Sequence, residues 1–373
     1  CFVGYPLGMI ARAALRRPPE PPAPPRAAEP VSIVIAARNE AANLPGRIEN
    51  LLSLDYAPDR LEVIVVCNGC TDDSVAILER LARREPRVKV LESPAEHGKS
   101  GAINLGVERA SGRYVVFTDA RQHFDPWVLH HLLAPFRDPQ VGAVTGRLII
   151  KSSDRPAVEG VRWYWEVETA LRLAESRTGS VIGATGAIYA IRRELFRPMP
   201  ANLILDDLFV PLSITLRGYR TAMAPDAVAV DRPSPHPKQE FIRKRRTMLG
   251  NIQLVRVMPS LLVPGKNPVF VRFLSHKLLR LTLPFCFGGL TVLGGMLEGV
   301  LYRSVFVGGV AVYGAGLIGL VVPLRALSVP ATFVLMHAAI LSALLRSGQS
   351  ATEVWVQPPA AARAAALPPA AVL

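Results

Sequence analysis

A change from apolar to polar residues marks the stretch VVFTDARQHF at 115–124. Residues 115–117 are bulky and apolar, as in a buried strand, and Thr118 and Asp119 come where that strand should end. A carboxylate at the carboxyl end of a parallel strand is well placed to hold a metal ion or a phosphate-bearing ligand. Sites of this kind usually place a second carboxylate two residues later, but Arg121 stands there. The stretch therefore predicts a ligand site with an unusual set of charged groups.

The surrounding sequence predicts the elements that would position this site. Four runs rich in β-branched residues predict strands at 31–37, 61–67, 88–92 and 113–119. Helical patterns lie between them at 40–54, 72–85 and 99–110. Alternating strands and helices indicate parallel βαβ units, and near-continuous apolar strands indicate a sheet covered on both faces. We therefore expect an α/β fold whose ligand lies beyond the carboxyl ends of the strands, where Glu40, Asn68 and Asp119 stand.

Lys99 stands among small residues in the stretch EHGKSGAIN, at the start of a predicted helix. Backbone N–H groups and the helix dipole favour an anion at such a place, and a lysine adds a full positive charge. The spacing of the glycines is not that of a Walker P-loop. Lys99 is therefore a candidate phosphate ligand, and the alternative is a solvated lysine at a helix start.

The second predicted strand ends in CNGCTDDS, which contains Cys67 and Cys70. This pair could be a redox dithiol or half of a zinc site. The chain has only four cysteines and no second pair, which disfavours both structural zinc and a disulfide framework. Asn68-Gly69 is typical of a turn and Thr71-Asp72 of a helix cap, and this pattern disfavours a redox motif.

Three segments downstream carry polar residues that could serve a site. Thr185 and Gly186 lie among small residues in GATGAIYAIRRELF. Asp206 and Asp207 could cap the helix that follows them, or a carboxylate there could act as a general base. Four cations at 243–246 could belong to a basic, lipid-facing helix or could clamp a diphosphate.

The chain of 373 residues is both basic and apolar, with a net charge of +13 and a hydrophobic share of 50%. Nucleic acid is not expected as a partner, because no aromatic-basic RNA signature or recognition-helix pattern accompanies the charge. Anionic lipid headgroups and a phosphate-bearing substrate explain the charge equally well.

The apolar residues are concentrated in three uncharged runs, at 281–297, 304–324 and 326–345. Each is close to the ~20 residues that a helix needs to cross a bilayer. We therefore expect about three transmembrane helices at 281–346, after an amphipathic interfacial segment at 259–280 and before a tail at 347–373. Buried helices of a large soluble core are the alternative, which suits the first run best because it is shortest and contains Pro284.

The first residues give a smaller membrane signal. Residues 1–17 begin apolar and end in arginines, as the cytoplasmic end of a membrane helix would. A signal-peptide remnant is the alternative. Residues 18–30 are expected to form a stiff proline-rich linker, which leaves 31–258 for the α/β domain.

These sequence features, taken in their order along the chain, resemble those of the inverting glycosyltransferases of family 2. The order is a nucleotide-binding βαβ start, an aspartate at a strand end, small residues around Thr-Gly, an acidic pair, a basic helix and membrane spans. The chain looks closest to the membrane-embedded branch that includes cellulose and hyaluronan synthases and bacterial exopolysaccharide enzymes. The resemblance covers about residues 31–251 and implies a GT-A nucleotide-diphospho-sugar transferase domain followed by a transmembrane region.

The resemblance implies a donor site for a UDP-sugar. The motif AARNE would place Ala37 and Glu40 beside the uracil and ribose. Asn68 stands where the family usually has an aspartate that reads the base. Lys99 matches a lysine near the diphosphate, and Arg246 matches the arginine of the Q-x-x-R-W motif, whose Gln and Trp are replaced here.

The resemblance also implies a metal site, a base and an acceptor site. Asp119 matches the first aspartate of a D-x-D motif that binds Mg²⁺ or Mn²⁺, and Arg121 replaces the second. We expect this metal to be held weakly without nucleotide, with Arg121 directed at the diphosphate or, alternatively, turned outward. The expected catalytic base is Asp207 with Asp206 beside it, and Thr185 and Gly186 would line the acceptor pocket.

Three functions are compatible with these observations. The first is an inverting glycosyltransferase that acts on a lipid-linked or growing glycan, in the inner (plasma) membrane with a cytoplasmic catalytic domain. The second is a catalytically impaired regulatory protein that binds sugar nucleotides on the same fold. The third, a nicotinamide-dependent enzyme, is weak because no G-x-G-x-x-G follows the first strand.

Overall fold

The computed structural model describes residues 4–16, 28–150, 156–231, 237–322 and 324–346, with only the backbone of 156–164 and 237–240. Its strands are β1 (Val31–Ala37), β2 (Leu61–Asn68), β3 (Val88–Ser93), β4 (Tyr114–Thr118), β5 (His123–Phe124), β6 (Val141–Ile150), β7 (Tyr189–Arg192) and β8 (Arg220–Asp231). The α-helices of the first half are α1 (Gly4–Ala14), α2 (Leu44–Leu52), α3 (Ser74–Ala82), α4 (Gly98–Glu108), α5 (Val128–Leu133) and α6 (Pro156–Arg177). Those of the second half are α7 (Asp206–Thr215), α8 (Pro237–Val257), α9 (Phe270–Phe273), α10 (Leu283–Met296), α11 (Val300–Val321) and α12 (Ser328–Leu345).

The strands form one eight-stranded sheet with the order β3-β2-β1-β4-β7-β6-β8-β5. The first four neighbours are parallel, and β7 then joins β4 in the antiparallel direction. The expected α/β fold is confirmed, with the four predicted strands forming the parallel half. Their carboxyl ends meet at one edge, so the residues that follow β1, β2 and β4 are brought together there.

Helices cover both faces of the sheet, as the uniformly apolar strands predict. One face is buried under α2, α3 and α5, whose apolar side chains include Ile48, Leu78 and Leu129. The other face is buried under α4 and α7, through residues such as Ile103 and Leu212. A sheet covered in this way leaves its carboxyl edge as the place where polar groups can collect.

The carboxyl-terminal part contains three helical stretches that are long and apolar enough to cross a membrane: Phe270–Met296, Val300–Val321 and Arg325–Leu345. The three stretches differ in how much of them is buried against the rest of the protein. The buried share of the most apolar 18 residues is 17% in the first stretch, 11% in the second and 50% in the third. The third stretch contains α12, whose Met336 and Ile340 pack against Met248 and Leu249 of α8.

At the other end of the chain, α1 packs against α6. Met9 and Ala13 of α1 contact Leu171 and Ala174 of α6. The expected tail at 347–373 and most of the expected linker at 18–30 lie outside the described residues.

Candidate active site at the carboxyl edge of the sheet

A chain of ion pairs joins three elements at this edge. Lys99 Nζ, in the first turn of α4, donates a hydrogen bond to Asp119 Oδ1 at 2.9 Å. The same Nζ lies 3.3 Å from Oδ1 of Asp206, the first residue of α7. Gly98 permits this start of α4, because its φ is +63° and a Cβ there would lie 2.8 Å from Asn202 Oδ1.

The two carboxylates keep Lys99 charged. Burial alone would lower the pKa of Lys99, but Asp119 and Asp206 override it and raise that pKa above its usual value. Burial would likewise raise the pKa of Asp119, but Lys99 overrides it and lowers that pKa. The site therefore holds a fixed cation and a fixed carboxylate in contact, rather than a solvated lysine at a helix start.

Asp207 has a different environment from its neighbour Asp206. Its Oδ2 accepts a hydrogen bond from the backbone N–H of Gly186 at 3.1 Å, and its carbonyl accepts one from Ala184 at 2.8 Å. Burial, and then the charge of Asp206, raise the pKa of Asp207 to about 6, although Lys99 opposes them. Neither carboxylate caps α7, since the N-cap residue is Leu205 and no side chain makes a capping bond. Asp207 thus has the elevated pKa that a general base working near neutral pH needs.

Gly186 lies close to the Asp207 carboxylate. A Cβ at this position would lie 3.3 Å from Asp207 Oδ2, so a side chain there would need the carboxylate to shift by a few tenths of an ångström. Its neighbour Thr185 is buried, and the Thr185 N–H donates to the Thr145 hydroxyl at 3.0 Å. The loop of Thr185 and Gly186 therefore lies against Asp207.

Arg121 and Arg246 both act on Asp119. After Lys99, the charges of these two arginines lower the pKa of Asp119 further. Arg246 is half-buried on α8, whereas Arg121 is exposed. Burial lowers the pKa of Arg246, and Asp119 opposes that effect. The basic helix therefore contributes one cation to the site.

Tyr189 and Arg47 belong to the site but carry no local sequence signal. The Tyr189 ring is fully buried and stacked on Phe117, with centroids 4.6 Å apart. Burial, then Asp206 and Asp207, raise the pKa of the Tyr189 hydroxyl. Both residues lie within apolar periodic runs, and such runs predict core strands or helices rather than site residues.

Arg47 supports the strand end from behind. Its Nη2 donates to the Thr118 hydroxyl at 2.8 Å, and that hydroxyl donates to the Ala187 carbonyl at 2.7 Å. Its guanidinium also lies 4.1 Å from the centroid of the Phe124 ring. Burial lowers the pKa of Arg47 to about 9, against the opposing charge of Asp119. This bridge fixes the strand end before Asp119 relative to the residues that follow Thr185 and Gly186.

The residues expected beside the nucleotide lie at the same edge. Ala37 ends β1 and is buried, and Glu40 accepts a hydrogen bond from the Asn43 side chain at 2.6 Å. Asn68 ends β2 with its side chain buried, and its Oδ1 has no hydrogen-bond partner among the described residues. A buried amide oxygen without a partner is costly. The Asn68 Oδ1 atom is therefore a candidate to accept a hydrogen bond from a bound ligand.

Cys67 and Cys70 flank Asn68 as free thiols. The Cys70 thiol donates to the Ala37 carbonyl at 3.5 Å. A hydrogen bond from the Cys67 thiol lowers the pKa of Cys70 to about 7.

Of the two positions expected to hold a metal ion, only Asp119 is a carboxylate, because the other is Arg121. No group of three His, Cys, Asp or Glu side chains suited to a metal occurs among the described residues. Asp119 is the available ligand, and it is already paired with Lys99. The protein groups fit a divalent ion only together with further oxygen ligands, such as those of a diphosphate.

Comparison with known proteins finds a family match for part of the chain. Residues 32–199 match the family Glycosyl transferase family 2. The poly-beta-1,6-N-acetyl-D-glucosamine synthase of Staphylococcus aureus (strain COL) is 25% identical over 206 residues, which are 54% of this chain and 49% of that protein. The Staphylococcus epidermidis synthase of the same name is 24% identical over the same length. The chain therefore spans about half the length of the curated relatives it matches.

A solved structure extends the likeness in fold to nearly the whole chain. The mannosyltransferase PcManGT from Pyrobaculum calidifontis, solved with GDP-Man and Mn²⁺, matches with a TM-score of 0.72 and 23% identity. The match covers 92% of this chain and 94% of that one. It confirms the expected GT-A fold, and the match of residues 32–199 confirms the resemblance of this part of the chain to glycosyl transferase family 2.

Proposed function

We propose that this protein is an inverting glycosyltransferase that moves a sugar from a nucleotide diphosphate donor, a UDP-sugar, to an acceptor at the membrane. The proposal rests on one observation: Lys99 is paired with Asp119 and Asp206, and Asp207 stands next to Asp206. This arrangement combines fixed positive charge with a carboxylate of elevated pKa at the carboxyl edge of the sheet. The sequence relatives include a polysaccharide synthase, which supports a glycan product.

Asp207 is the proposed general base. A sugar hydroxyl is a weak nucleophile, and removal of its proton in the transition state is worth about 10²–10⁴ in rate. The Gly186 N–H holds the carboxylate beside the acceptor loop. The hydroxyl oxygen attacks the anomeric carbon opposite the departing phosphate, its proton passes to Asp207, and the anomeric configuration inverts.

Lys99 and Arg246 are the proposed cations for the leaving group. The nucleoside diphosphate gains negative charge as the glycosidic bond to phosphate breaks, so fixed cations aimed there stabilise the transition state. Arg121 is exposed next to Asp119 and could add to this charge when a donor is present. Asp206 holds Lys99 in place and is a positioning residue in this mechanism.

A divalent metal, Mg²⁺ or Mn²⁺, is proposed to bind through Asp119 together with the donor phosphates. When bound it would neutralise diphosphate charge. The Mn²⁺ in the structure of the archaeal mannosyltransferase supports such an ion on this fold. Because Lys99 already occupies Asp119, we expect weak metal binding without nucleotide.

The acceptor is proposed to be lipid-linked or a growing glycan. Three apolar helical stretches next to the catalytic domain support a membrane location with several spans. We propose that this membrane is the inner (plasma) membrane and that the catalytic domain is cytoplasmic. Thr185 and Gly186 would face the acceptor hydroxyl, and membrane lipids would surround the spans.

Release of nucleoside diphosphate tests this function. The full chain, purified in detergent, would be given UDP-GlcNAc, UDP-glucose and GDP-mannose in turn, each with a lipid extract as the acceptor source. We expect release of the diphosphate from one donor in the wild type and none from that donor in Asp207→Asn. Equal release by both proteins would contradict the role of Asp207.

The second candidate is a regulatory protein that binds sugar nucleotides without transferring the sugar. The replacement of a second metal carboxylate by Arg121 favours it. Tight binding of UDP with no release from any donor would identify this function.

A further inference from the structure

One buried carboxylate beside the site gathers several positive groups. Glu168 lies on α6 with its side chain 4% exposed. Its oxygens lie 3.2 Å from Arg172 Nε, 3.2 Å from Arg280 Nη1 and 4.0 Å from Lys277 Nζ. His276 Nε2 adds a contact at 3.0 Å. Such an arrangement holds cationic side chains in fixed places, because a buried charge must stay paired.

The membrane-proximal segment, residues 274–282, supplies His276, Lys277 and Arg280. This segment contacts α6 at a second point. His276 Nδ1 lies 2.8 Å from Glu175 Oε1, which also accepts a hydrogen bond from the Tyr5 hydroxyl at 2.6 Å. Both ring nitrogens of His276 therefore face carboxylates. The segment next to α10 is clamped on α6, and Lys277 is clamped with it.

This network borders the proposed acceptor loop. Glu168 and Arg172 line one crevice together with Thr185. The next residue, Gly186, donates its N–H to Asp207. Arg172 therefore lines the same crevice as Thr185, and the residue after Thr185 contacts the proposed base.

Charged groups from several elements interact electrostatically with Asp207. They are Asp206 on α7, Lys99 on α4, Arg172 on α6, Lys277 in the segment after α9, Arg246 on α8, and the hydroxyl of Tyr189 on β7. Burial and Asp206 raise the pKa of Asp207, while Lys99, Arg172 and Lys277 lower it. In the proposed function Lys99 and Arg246 face the diphosphate, so a bound donor offsets their charge. Arg172 and Lys277 remain as the cations that the donor does not use.

We propose that Arg172 and Lys277, held in place by Glu168, are positioning residues that keep Asp207 ionised while the donor is bound. This inference deepens the proposed function and rests on it for the role of Asp207. The contacts of Glu168 and Glu175 with the membrane-proximal segment would then contribute to the reaction, because they hold cations near the base.

The pH dependence of turnover tests the inference. The acid limb of kcat/KM reports ionisation of the base in the free enzyme, and that of kcat reports it in the complex with substrate. We expect Arg172→Gln and Lys277→Gln each to move the kcat limb towards higher pH by about one pH unit. Arg172→Lys should restore the wild-type limb, because it keeps the charge. Arg177→Gln is the matched control, since it removes an exposed cation from the same helix.

A second measurement does not depend on turnover. Infrared difference spectra can follow the stretch of the protonated carboxyl group that Asp207→Asn removes. We expect its titration midpoint to rise by about one pH unit in Arg172→Gln, with or without UDP. If Arg172→Gln does not fold, Lys277→Gln gives the same test from a more exposed position. Unchanged midpoints in both variants, an equal shift in Arg177→Gln, or no rescue by Arg172→Lys would overturn the inference. A wild type without transferase activity would contradict the proposed function, while the infrared result would still decide the charge arrangement.

Discussion

At the scale of single residues, two adjacent aspartates have acquired different environments. Asp206 faces Lys99 at 3.3 Å, whereas Asp207 accepts the N–H of Gly186 and has a pKa raised to about 6. The pair thus separates into one carboxylate that holds a cation and one that can accept a proton. This division follows from the direction of two side chains at the start of α7.

We expect Asp207→Asn to abolish transfer while UDP binding remains, because the amide cannot accept the proton but keeps the shape of the side chain. The loss should be about 10²–10⁴ in kcat or more. Turnover and UDP titration calorimetry on the same preparation would check this. Asp206→Asn is the companion variant, and it should weaken UDP binding because Lys99 loses a partner. Normal turnover in Asp207→Asn would assign the base elsewhere.

The arginine in the second metal position leads to another prediction. We expect Mn²⁺ to bind the nucleotide-free protein weakly and much more tightly in the presence of UDP, since Asp119 alone is a poor ligand set. Arg121→Asp should strengthen Mn²⁺ binding without nucleotide and lower the transfer rate, because a carboxylate replaces a cation. Calorimetric titration with Mn²⁺, with and without UDP, measures the first effect. Tight Mn²⁺ binding by the free wild type would show that Arg121 has no such role.

At the scale of elements, α4 and α8 each bring one cation to the carboxyl edge. We expect Lys99→Ala and Arg246→Ala to weaken UDP binding roughly tenfold or more, because charge-assisted hydrogen bonds contribute about 1.5–3 kcal/mol. The effect should be larger at low salt. The matched controls are Lys89→Ala and Arg256→Ala, which remove exposed cations from β3 and from the end of α8. Equal UDP affinity in all four variants would indicate that Lys99 is a solvated lysine and that Arg246 belongs to a lipid-facing helix.

The clamp of α6 on the membrane-proximal segment is a second feature at this scale. His276→Ala would remove the hydrogen-bond partner that Glu168 and Glu175 share, and leaving a buried polar group without its hydrogen bond costs about 1–3 kcal/mol. We therefore expect a clear fall in the midpoint of thermal unfolding in detergent. Arg113→Ala is the control, because its pair with Glu29 is exposed and should be worth less than about 1 kcal/mol. Equal midpoints in His276→Ala and the wild type would contradict this account.

At the scale of the whole molecule, the three apolar stretches divide into two groups. The stretches of α10 and α11 are mostly exposed, and α11 returns antiparallel along α10, with Gly309 facing Thr291. The stretch of α12 is half-buried on the catalytic domain. We infer that α10 and α11 form a hairpin with its tip at Glu298.

Cysteine labelling tests the position of this hairpin. In sealed vesicles with the catalytic domain outward, we expect Glu298→Cys to resist a membrane-impermeant maleimide until detergent is added, because the tip lies across the bilayer. Glu96→Cys on the exposed surface of the domain should react at once. Both variants would be made in a background without native cysteines. Labelling of Glu298→Cys without detergent would place the hairpin outside the bilayer.

The amino-acid sequence predicts the order of strands and helices in the parallel half and the positions of the apolar stretches. Local patterns are sufficient here, because β-branched runs, helical periodicity and uncharged runs each reflect the surroundings of neighbouring residues. The same reasoning identified Asp119 and Asn68, since a polar residue at the end of an apolar strand is a local signal. The predicted helix at 40–54 begins later, at Leu44, because Glu40 to Asn43 form a turn first.

The contacts between these groups are not predictable from the sequence, because they depend on how the elements pack. Lys99 lies 20 residues before Asp119 in the chain, yet α4 and β4 bring them to 2.9 Å. Arg47 reaches Thr118 across 71 residues, and His276 reaches Glu168 across 108. Such contacts depend on the pairing of strands and the packing of helices, which leave no periodic mark in the sequence near either partner. For this reason the residue types of the site were predictable, while the charges that set the pKa of Asp207 were not.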